Sequence, residues 1–282
     1  MSRQANPAAL SPLPAARPVR IGIFDSGVGG LSVMRAISAR LPHAELLYAA
    51  DTAYAPYGDR SEEFLCDRST RIARFLCDQG AQMIVVACNT ATAAAVAALR
   101  AASPTLPLVG VEPGVKPAVA LSAARRVGVL ATTRTLASEK FRRLAEAHAD
   151  GAQLVLQACP GLADAIETAD AQGSGLDMLV ERYCAPLRDA GVDVAVLGCT
   201  HYVFARALFE HALPGVQLID TADAVARQTA RFADELVAKG EADAPGPESP
   251  PLRAWSSGSP EVLAAFARRW LDLRVGVQDM RC

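Results

Sequence analysis

The sequence predicts an α/β fold with two pseudo-symmetric lobes, each built on a mainly parallel sheet flanked by helices, and a cleft between the strand ends of the lobes. Short apolar segments alternate with helix-like segments along the chain. Segments 83–93 (MIVVACNTATA) and 192–202 (VDVAVLGCTHY) are apolar runs that end in a cysteine followed by polar residues. Segments 20–33 and 126–136 share a strand, a polar turn and a helix start. Any α/β protein repeats such units, but two matched pairs favour a duplicated lobe.

The first part of the chain alternates strands and helices. Residues 20–24, 44–50, 83–88 and 108–111 have the apolar composition of buried strands. Helices are expected at 31–41 and 61–80 and, after the Cys88 strand, up to about residue 102. Ser61 is placed to cap the second helix, and Gly80 follows its last turn, where glycine commonly adopts a positive φ.

The second part repeats the alternation. Strands are expected at 126–130, 154–158, 192–199 and 216–219, with helices at 115–124, 138–149, 162–169, 175–190, 203–213 and 222–238. Residues 131–135 predict a threonine-rich turn, Ser138 begins the next helix, and Thr221 is placed to cap the helix at 222–238. A strand at 253–257 and a helix at 260–273 follow.

Composition narrows the class of protein. The net charge of −2 gives no sign of a basic nucleic-acid-binding surface, and no apolar stretch is long enough to span a bilayer. Residues 1–18 lack the apolar segment of a secretory signal and predict a disordered tail, whereas the proline-rich residues 240–251 predict a mobile surface loop. The seven cysteines contain no CxxC pair, so zinc-ribbon and thioredoxin-type motifs are not supported, and a reducing cytoplasm is expected.

A glycine-rich turn follows the first strand, at residues 25–30 (DSGVGG). With Asp51 about twenty residues further on, it invites comparison with a dinucleotide-binding fingerprint. Ser32 stands where the third fingerprint glycine would fall, and the Asp25 carboxylate would repel a pyrophosphate. The preferred interpretation is that the glycines turn the backbone sharply and present Asp25 and Ser26 to a small ligand. A plain strand-to-helix turn is the structural alternative.

The cysteine motifs combine a thiol with polar groups at a predicted helix start. Cys88 precedes an amide and a hydroxyl, and Cys199 precedes Thr200 and His201. A helix N-terminus lowers a thiol pKa and binds carboxylates, while an imidazole can share a proton with a thiol. A metal held by Cys88, Cys199 and His201 is weakly supported, because only one spacing is short and a fourth ligand is missing.

Several motifs together carry a family resemblance. In this order, IGIFDSGVGGLSV, ADTAYAPYG, VVACNTATA, VGVEPGVKPA, VGVLATTRT and LGCTHY, with SSGSPEVLAAFARRWL near the end, resemble the glutamate racemases of the aspartate/glutamate racemase superfamily over residues 19–274. The resemblance implies a first lobe of residues 19–112 plus 215–282, a second lobe of residues 113–214, and an active site in the cleft between them. Thr92 stands where the family often has serine, and Val203 where it often has proline; neither departure touches the chemistry.

The resemblance also implies roles for individual residues. Cys88 and Cys199 would be the catalytic acid and base, Cys88 acting on the D-enantiomer and Cys199 on the L-enantiomer. Asp25 would assist Cys88, and His201 would assist Cys199. Glu167, by a looser alignment, is a possible further site residue. The implied substrate contacts are Asp25, Ser26, Pro56, Tyr57, Gly58, Asn89, Thr90, Thr132, Thr200 and His201.

The implied function is the interconversion of L-glutamate and D-glutamate, which would supply D-glutamate for peptidoglycan. Such an enzyme would need no cofactor and no metal, and would be a cytoplasmic homodimer without a nucleic-acid or membrane partner. An aspartate or hydantoin racemase would use the same chemistry in a different pocket. A cysteine-nucleophile hydrolase would leave the second thiol unexplained. A binding or regulatory protein remains a different class, since some members of the family bind DNA gyrase.

Overall fold

The computed structural model describes residues 18–169, 175–243 and 252–282, and it contains two separate parallel sheets. The predicted tail at 1–18, apart from Pro18, and most of the predicted loop at 240–251 lie outside these residues. The strands are β1 (Arg20–Asp25), β2 (Glu45–Ala50), β3 (Met83–Val86), β4 (Leu108–Gly110), β5 (Arg126–Ala131), β6 (Gln153–Ala158), β7 (Val194–Leu197), β8 (Gln217–Ile219), β9 (Arg253–Ser256) and β10 (Val277–Asp279).

Helices cover the faces of both sheets. They are α1 (Leu31–Arg40), α2 (Glu62–Asp78), α3 (Asn89–Ala102), α4 (Val115–Leu121), α5 (Thr133–Ala137), α6 (Glu139–His148), α7 (Leu162–Thr168), α8 (Leu176–Asp189), α9 (Arg206–Ala212), α10 (Ala222–Ala238) and α11 (Pro260–Leu271). Short 3-10 helices occupy Thr52–Tyr54, Tyr57–Asp59 and Tyr202–Ala205. In the described part of the chain, no helix combines the length and apolar character needed to cross a membrane.

The two sheets have matching topologies. The first has the order β10-β9-β2-β1-β3-β4, and the second has the order β6-β5-β7-β8. In each, the first strand in the chain pairs in parallel with the second and the third, and the fourth pairs with the third. The predicted α/β fold class is therefore confirmed. Because β3 and β7 occupy equivalent places, their carboxyl ends deliver Cys88 and Cys199 to equivalent positions.

Burial of apolar side chains explains why the segments of β3 and β7 form central strands. All four residues of β3 and all four residues of β7 are buried, as expected for central strands covered by helices on both faces. Ser61 and Ser138 cap their helices as predicted, accepting hydrogen bonds from the N–H groups of Phe64 and Phe141. Gly80 has a φ of 97° directly after the cap of α2, which also agrees with the prediction. Burial thus defines the two central strands, and these caps define the starts of α2 and α6.

Two local predictions were wrong, and one strand was missed. Residues 131–135 do not form a simple turn: Thr132 caps a short helix by accepting a hydrogen bond from the Thr135 N–H. The Thr221 side chain makes no capping hydrogen bond, and next to it Asp220 Oδ1 accepts from the Ala222 N–H at 3.1 Å. Strand β10 was not predicted, since it is a three-residue edge strand with little apolar signal.

Candidate active site

A cavity of about 160 Å³ opens between the carboxyl ends of the two sheets. This is where ligands bind in open parallel sheets. Both lobes contribute to it, and both cysteines of the repeated motifs line it. The remaining lining residues are Ser26, Ala55, Pro56, Tyr57, Gly58, Asp59, Asn89, Thr90, Thr132, Thr133, Cys159, Pro160, Gly161, Ala163, Asp164, Glu167, Thr200 and His201.

Cys88 lies at the N-terminus of α3, where its sulfur takes the capping position. Its Sγ accepts a hydrogen bond from the Ala91 N–H at 3.4 Å and contacts Ser26 Oγ at 3.6 Å. Burial and the nearby Asp25 carboxylate nevertheless raise the pKa of Cys88 to about 12. The Ala91 N–H at the helix terminus does lower the pKa of Cys88, as expected, but desolvation and a buried anion outweigh it, so the expected net lowering was wrong.

Cys199 follows β7 and faces an imidazole. Its Sγ lies 3.7 Å from His201 Nδ1, and His201 Nε2 lies 2.6 Å from Glu167 Oε1. Burial opposes protonation of His201, but hydrogen bonds and charge from Cys199 and Glu167 raise its pKa well above the usual value. Burial likewise opposes ionisation of Glu167, yet His201 and the Val28 N–H lower its pKa. The two side chains thus form an ion pair beside Cys199, in which His201 is buried and Glu167 is partly buried.

Asp25 lies behind the cavity wall and is not among the residues that line it. Its carboxylate is fully buried and accepts hydrogen bonds from Ser26 Oγ at 3.1 Å and Thr200 Oγ1 at 2.9 Å. Because Thr200 belongs to the second lobe, Asp25 joins the two halves of the site. Asp25 therefore affects the cavity indirectly, by orienting the hydroxyl groups of Ser26 and Thr200, which do line it.

The glycines of residues 25–30 allow the lobes to approach each other. A Cβ atom on Gly29 would lie 2.4 Å from His201 Nδ1, and one on Gly27 would lie 2.3 Å from Glu167 Oε1. This turn therefore packs directly against the ion pair of the second lobe. The glycines serve this close approach, which disfavours the dinucleotide-binding interpretation.

Threonine hydroxyls line the opposite part of the cavity. Thr90 Oγ1, at the start of α3, lies 3.0 Å from Thr132 Oγ1 and 3.3 Å from Thr135 Oγ1. Thr132 was predicted as a site residue, whereas Thr133, which also lines the cavity, was not, and Thr135 supports Thr90 and Thr132 from behind. The N-termini of α3 and α5 meet here, so two helix dipoles and several hydroxyl donors favour an anionic group.

The remaining predicted contacts also line the cavity. Pro56, Tyr57 and Gly58 form one wall, and Asn89 lies at the start of α3. Among the described residues, nothing donates a hydrogen bond to the buried Asn89 Oδ1, which makes it a ready acceptor for an N–H group of a ligand. Asp51 and Arg68, which support this wall, were not predicted, although Asp51 belongs to the ADTAYAPYG motif. Within the described ranges, no group of three His, Cys, Asp or Glu residues could hold a metal ion.

Comparisons with known proteins agree with this geometry. A family model described as Asp/Glu/Hydantoin racemase matches residues 22–229. Glutamate racemases from Pseudomonas paraeruginosa and Pseudomonas aeruginosa are each 48% identical over 252 residues, which covers 88% of this chain and 92% of each relative.

Solved structures give the same result. A glutamate racemase isoform from Bacillus anthracis superposes with a TM-score of 0.82 at 32% identity, covering 93% of this chain and 97% of that one. The Escherichia coli glutamate racemase, in complex with L-glutamate and the activator UDP-MurNAc-Ala, gives a TM-score of 0.77 at 31% identity and the same coverage. The Thermus thermophilus glutamate racemase in complex with β-chloro-D-alanine gives 0.72 at 36% identity, covering 94% of this chain and 97% of that one. The chain therefore belongs to the Asp/Glu/Hydantoin racemase family, as its motifs predict, and its matched relatives are glutamate racemases.

Proposed function

We propose that this protein interconverts L-glutamate and D-glutamate by a two-base mechanism in which Cys88 and Cys199 exchange the α-proton. One observation carries the proposal: the thiols stand at equivalent strand ends of two matching sheets and line one cavity. A racemase must remove a proton from one face of a carbon and deliver one to the other. A pair of thiols contributed by opposite lobes meets this requirement.

The polar groups of the cavity suit an amino acid. The unpartnered Asn89 Oδ1 and the Ser26 hydroxyl, with the Asp25 charge behind it, would receive the α-ammonium group. The hydroxyls of Thr90 and Thr132, at two helix N-termini, would receive a carboxylate. Neutralising the carboxylate makes the α-proton more acidic, because negative charge spreads onto the carboxylate as the proton is removed.

Each thiol acts as base for one enantiomer and as acid for the other. With D-glutamate, the Cys88 thiolate takes the α-proton and the Cys199 thiol donates its proton to the opposite face; with L-glutamate the roles reverse. The His201 imidazolium lies 3.7 Å from the Cys199 sulfur, measured from Nδ1, and holds that side chain toward the cavity. An α-ammonium group bound near Cys88 would lower the pKa of that thiol, offsetting Asp25. No cofactor takes part in these steps.

Further properties are proposed on the family resemblance. The first lobe holds residues 19–112 and the second holds residues 113–219, and the chain returns to the first lobe after β8. The predicted boundary between residues 214 and 215 falls too early, because β8 pairs with β7 in the second sheet. The product D-glutamate serves peptidoglycan synthesis and cell shape, and the enzyme acts as a homodimer in the cytoplasm. Supporting the substrate assignment, L-glutamate and the amino acid β-chloro-D-alanine are ligands in the matched structures of relatives.

Circular dichroism of the amino acid tests the substrate. The purified protein should bring L-glutamate and D-glutamate to zero ellipticity without added cofactor, and should act far more slowly on L-aspartate. Constant ellipticity of glutamate over hours with folded protein, together with racemisation of aspartate, would overturn the glutamate assignment in favour of the related aspartate activity.

Elimination from a β-chloro amino acid tests the division of labour between the thiols. Removal of the α-proton expels chloride, and hydrolysis of the resulting enamine gives pyruvate and ammonia, so one base is sufficient. Cys88→Ser and Cys199→Ser should both lose racemisation. Cys88→Ser should still release pyruvate from the L-analogue, and Cys199→Ser from the D-analogue. If one variant retains elimination from both enantiomers and the other from neither, a single thiol does all the chemistry.

A further inference from the structure

We propose that Arg68 is a positioning residue for the substrate-binding wall of the cavity, acting through Asp51 on Tyr57. This inference rests on the glutamate racemase activity proposed above. Arg68 lies on α2, outside the cavity lining. Its side chain is buried, and no motif used to identify the site contains it. Any role of Arg68 in the site must therefore act through the groups that its side chain binds.

The first step of the argument is the contact between Tyr57 and Asp51. Tyr57 lines the cavity, yet its ring is almost fully buried, and its hydroxyl donates to Asp51 Oδ2 at 2.5 Å. Burial and the Asp51 carboxylate raise the pKa of Tyr57, so the phenol stays protonated and remains a donor. The position of this wall is consequently tied to the position of one carboxylate.

The second step is that Arg68 fixes that carboxylate. The Asp51 side chain is fully buried, and Arg68 binds it with two N–H groups, Nε at 3.1 Å from Oδ2 and Nη2 at 2.6 Å from Oδ1. Arg68 Nη1 also donates to the carbonyl oxygen of Cys282 at 2.5 Å. A planar guanidinium can make all three bonds at once, whereas an ammonium group has no matching fork.

The third step is that segment 51–59 folds around the same guanidinium. The centre of the Tyr54 ring lies 4.2 Å from the guanidinium carbon of Arg68, and the Asp51 carboxylate forms an ion pair with the guanidinium N–H groups. Arg68 therefore contacts the segment on two sides. The hydrogen bonds recorded for the thiols of Cys88 and Cys199 involve none of these groups. A disturbance at Arg68 should thus change substrate binding and leave the acid–base groups in place.

The test compares Arg68→Lys with Arg71→Lys. The first variant keeps the charge but loses the two-point contact with Asp51. We expect its KM for glutamate to rise about tenfold, the loss expected for one misplaced charge-assisted hydrogen bond, with kcat within about threefold of wild type and an unchanged pH profile of kcat. Arg71 lies on the same helix with its side chain 56% exposed and paired with Asp67, so Arg71→Lys should match wild type.

A double-mutant cycle with Tyr57→Phe separates positioning from general destabilisation. If Arg68 acts through the Tyr57 hydroxyl, the double variant should raise KM no further than the larger single effect. Effects that multiply, or a fall in kcat at unchanged KM, would overturn the proposal. If Arg68→Lys does not fold, Asp51→Asn with Tyr57→Phe gives an equivalent cycle. An inactive wild-type protein would instead contradict the proposed function itself.

Discussion

At the scale of single residues, the two thiols proposed as acid and base have opposite electrostatic surroundings. Cys88 lies near the buried Asp25 carboxylate, which together with burial raises its pKa to about 12. Cys199 lies 3.7 Å from His201, whose own pKa is raised by Cys199 and Glu167 despite the opposing effect of burial. One thiol therefore has an anion as its neighbour and the other has a cation, although the strands that carry them are equivalent.

The effect of Asp25 on Cys88 predicts a shift in the pH profile. Removing the negative charge in Asp25→Asn favours the Cys88 thiolate, so the pKa of Cys88 falls. The alkaline limb of kcat/KM for glutamate, which reports deprotonation of the thiol pair, should move to lower pH even where the overall rate drops. Asp67→Asn, on the exposed face of α2, serves as the control. A limb that stays in place, or moves to higher pH, would contradict the assignment.

The Glu167–His201 pair predicts a pH-dependent contribution to stability. The pKa of His201 is raised above its usual 6.5, so its contribution is fully present below that pH and is lost as pH rises through the folded-state pKa. His201→Gln should lower the free energy of unfolding by about 3 kcal/mol near pH 6. Urea denaturation of both proteins should show this difference shrinking above neutral pH, and a difference that is constant with pH would exclude the ion pair as its source.

At the scale of elements, the turn between β1 and α1 acts as a spacer. Position 29 has room only for glycine, because His201 and Thr200 of the second lobe pack directly against it. Any side chain here would push the Glu167–His201 pair away from Cys199. The turn therefore sets the distance between groups that belong to different sheets.

Gly29→Ala should lower kcat by about a hundredfold, since a displacement of roughly one ångström at a catalytic group has that effect. Gly276→Ala is the matched control, because nothing lies within 4 Å of the added Cβ and its φ is not in the left-handed region. The measurement is kcat for both enantiomers alongside far-UV circular dichroism. Wild-type kcat in Gly29→Ala would show that the close approach is not needed.

Local signals predicted most elements correctly because each depends on a few neighbouring residues. The buried strands ending at the two cysteines, the caps at Ser61 and Ser138, and the glycine at position 80 are of this kind. The Thr221 cap was wrong because the Thr221 side chain makes no capping hydrogen bond, while the neighbouring Asp220 accepts from the Ala222 N–H at the helix start. Which of several polar side chains before a helix contacts its first turn depends on the local backbone, which the residue types alone do not specify.

At the scale of the whole molecule, contacts between the lobes hold the site together. Phe204, which follows the Cys199 motif, packs edge-on against Phe266 at 5.0 Å and lies 5.7 Å from Trp270, both on α11. On the same helix, Arg269 donates to the carbonyl oxygen of Ala169, at the end of the helix that carries Glu167. Helix α11 thus packs against the segments that carry the second lobe's part of the candidate site.

Phe204→Ala should lower the free energy of unfolding by about 2 kcal/mol, because a half-buried ring is lost from this cluster, and should also reduce kcat/KM for glutamate. Val262→Ala, at a side chain on α11 that is 51% exposed, should change stability by less than about 0.5 kcal/mol. Urea denaturation and steady-state kinetics measure both effects. Loss of stability with an unchanged kcat/KM would mean that this junction does not position the site.

The least predictable parts of the site are those that depend on how the lobes pack. Glu167 could be suggested only by a loose alignment, because its contact with His201 joins residues 34 positions apart through the docking of α7. Arg68 and its partner Asp51 form a buried pair whose importance appears only once segment 51–59 is seen wrapped around them. Sequence patterns locate the reactive groups, whereas packing between distant segments orients them.

The unequal neighbours of the two thiols have a consequence for steady-state kinetics. L- and D-glutamate are mirror images, so their equilibrium constant in water is one, and kcat/KM must be equal in the two directions at every pH. The carboxylate beside Cys88 and the imidazolium beside Cys199 can therefore make kcat differ between the enantiomers only if KM differs by the same factor. The enantiomer with the lower KM must therefore also have the lower kcat. The enzyme can thus favour one direction at high substrate concentration while remaining without preference when substrate is scarce.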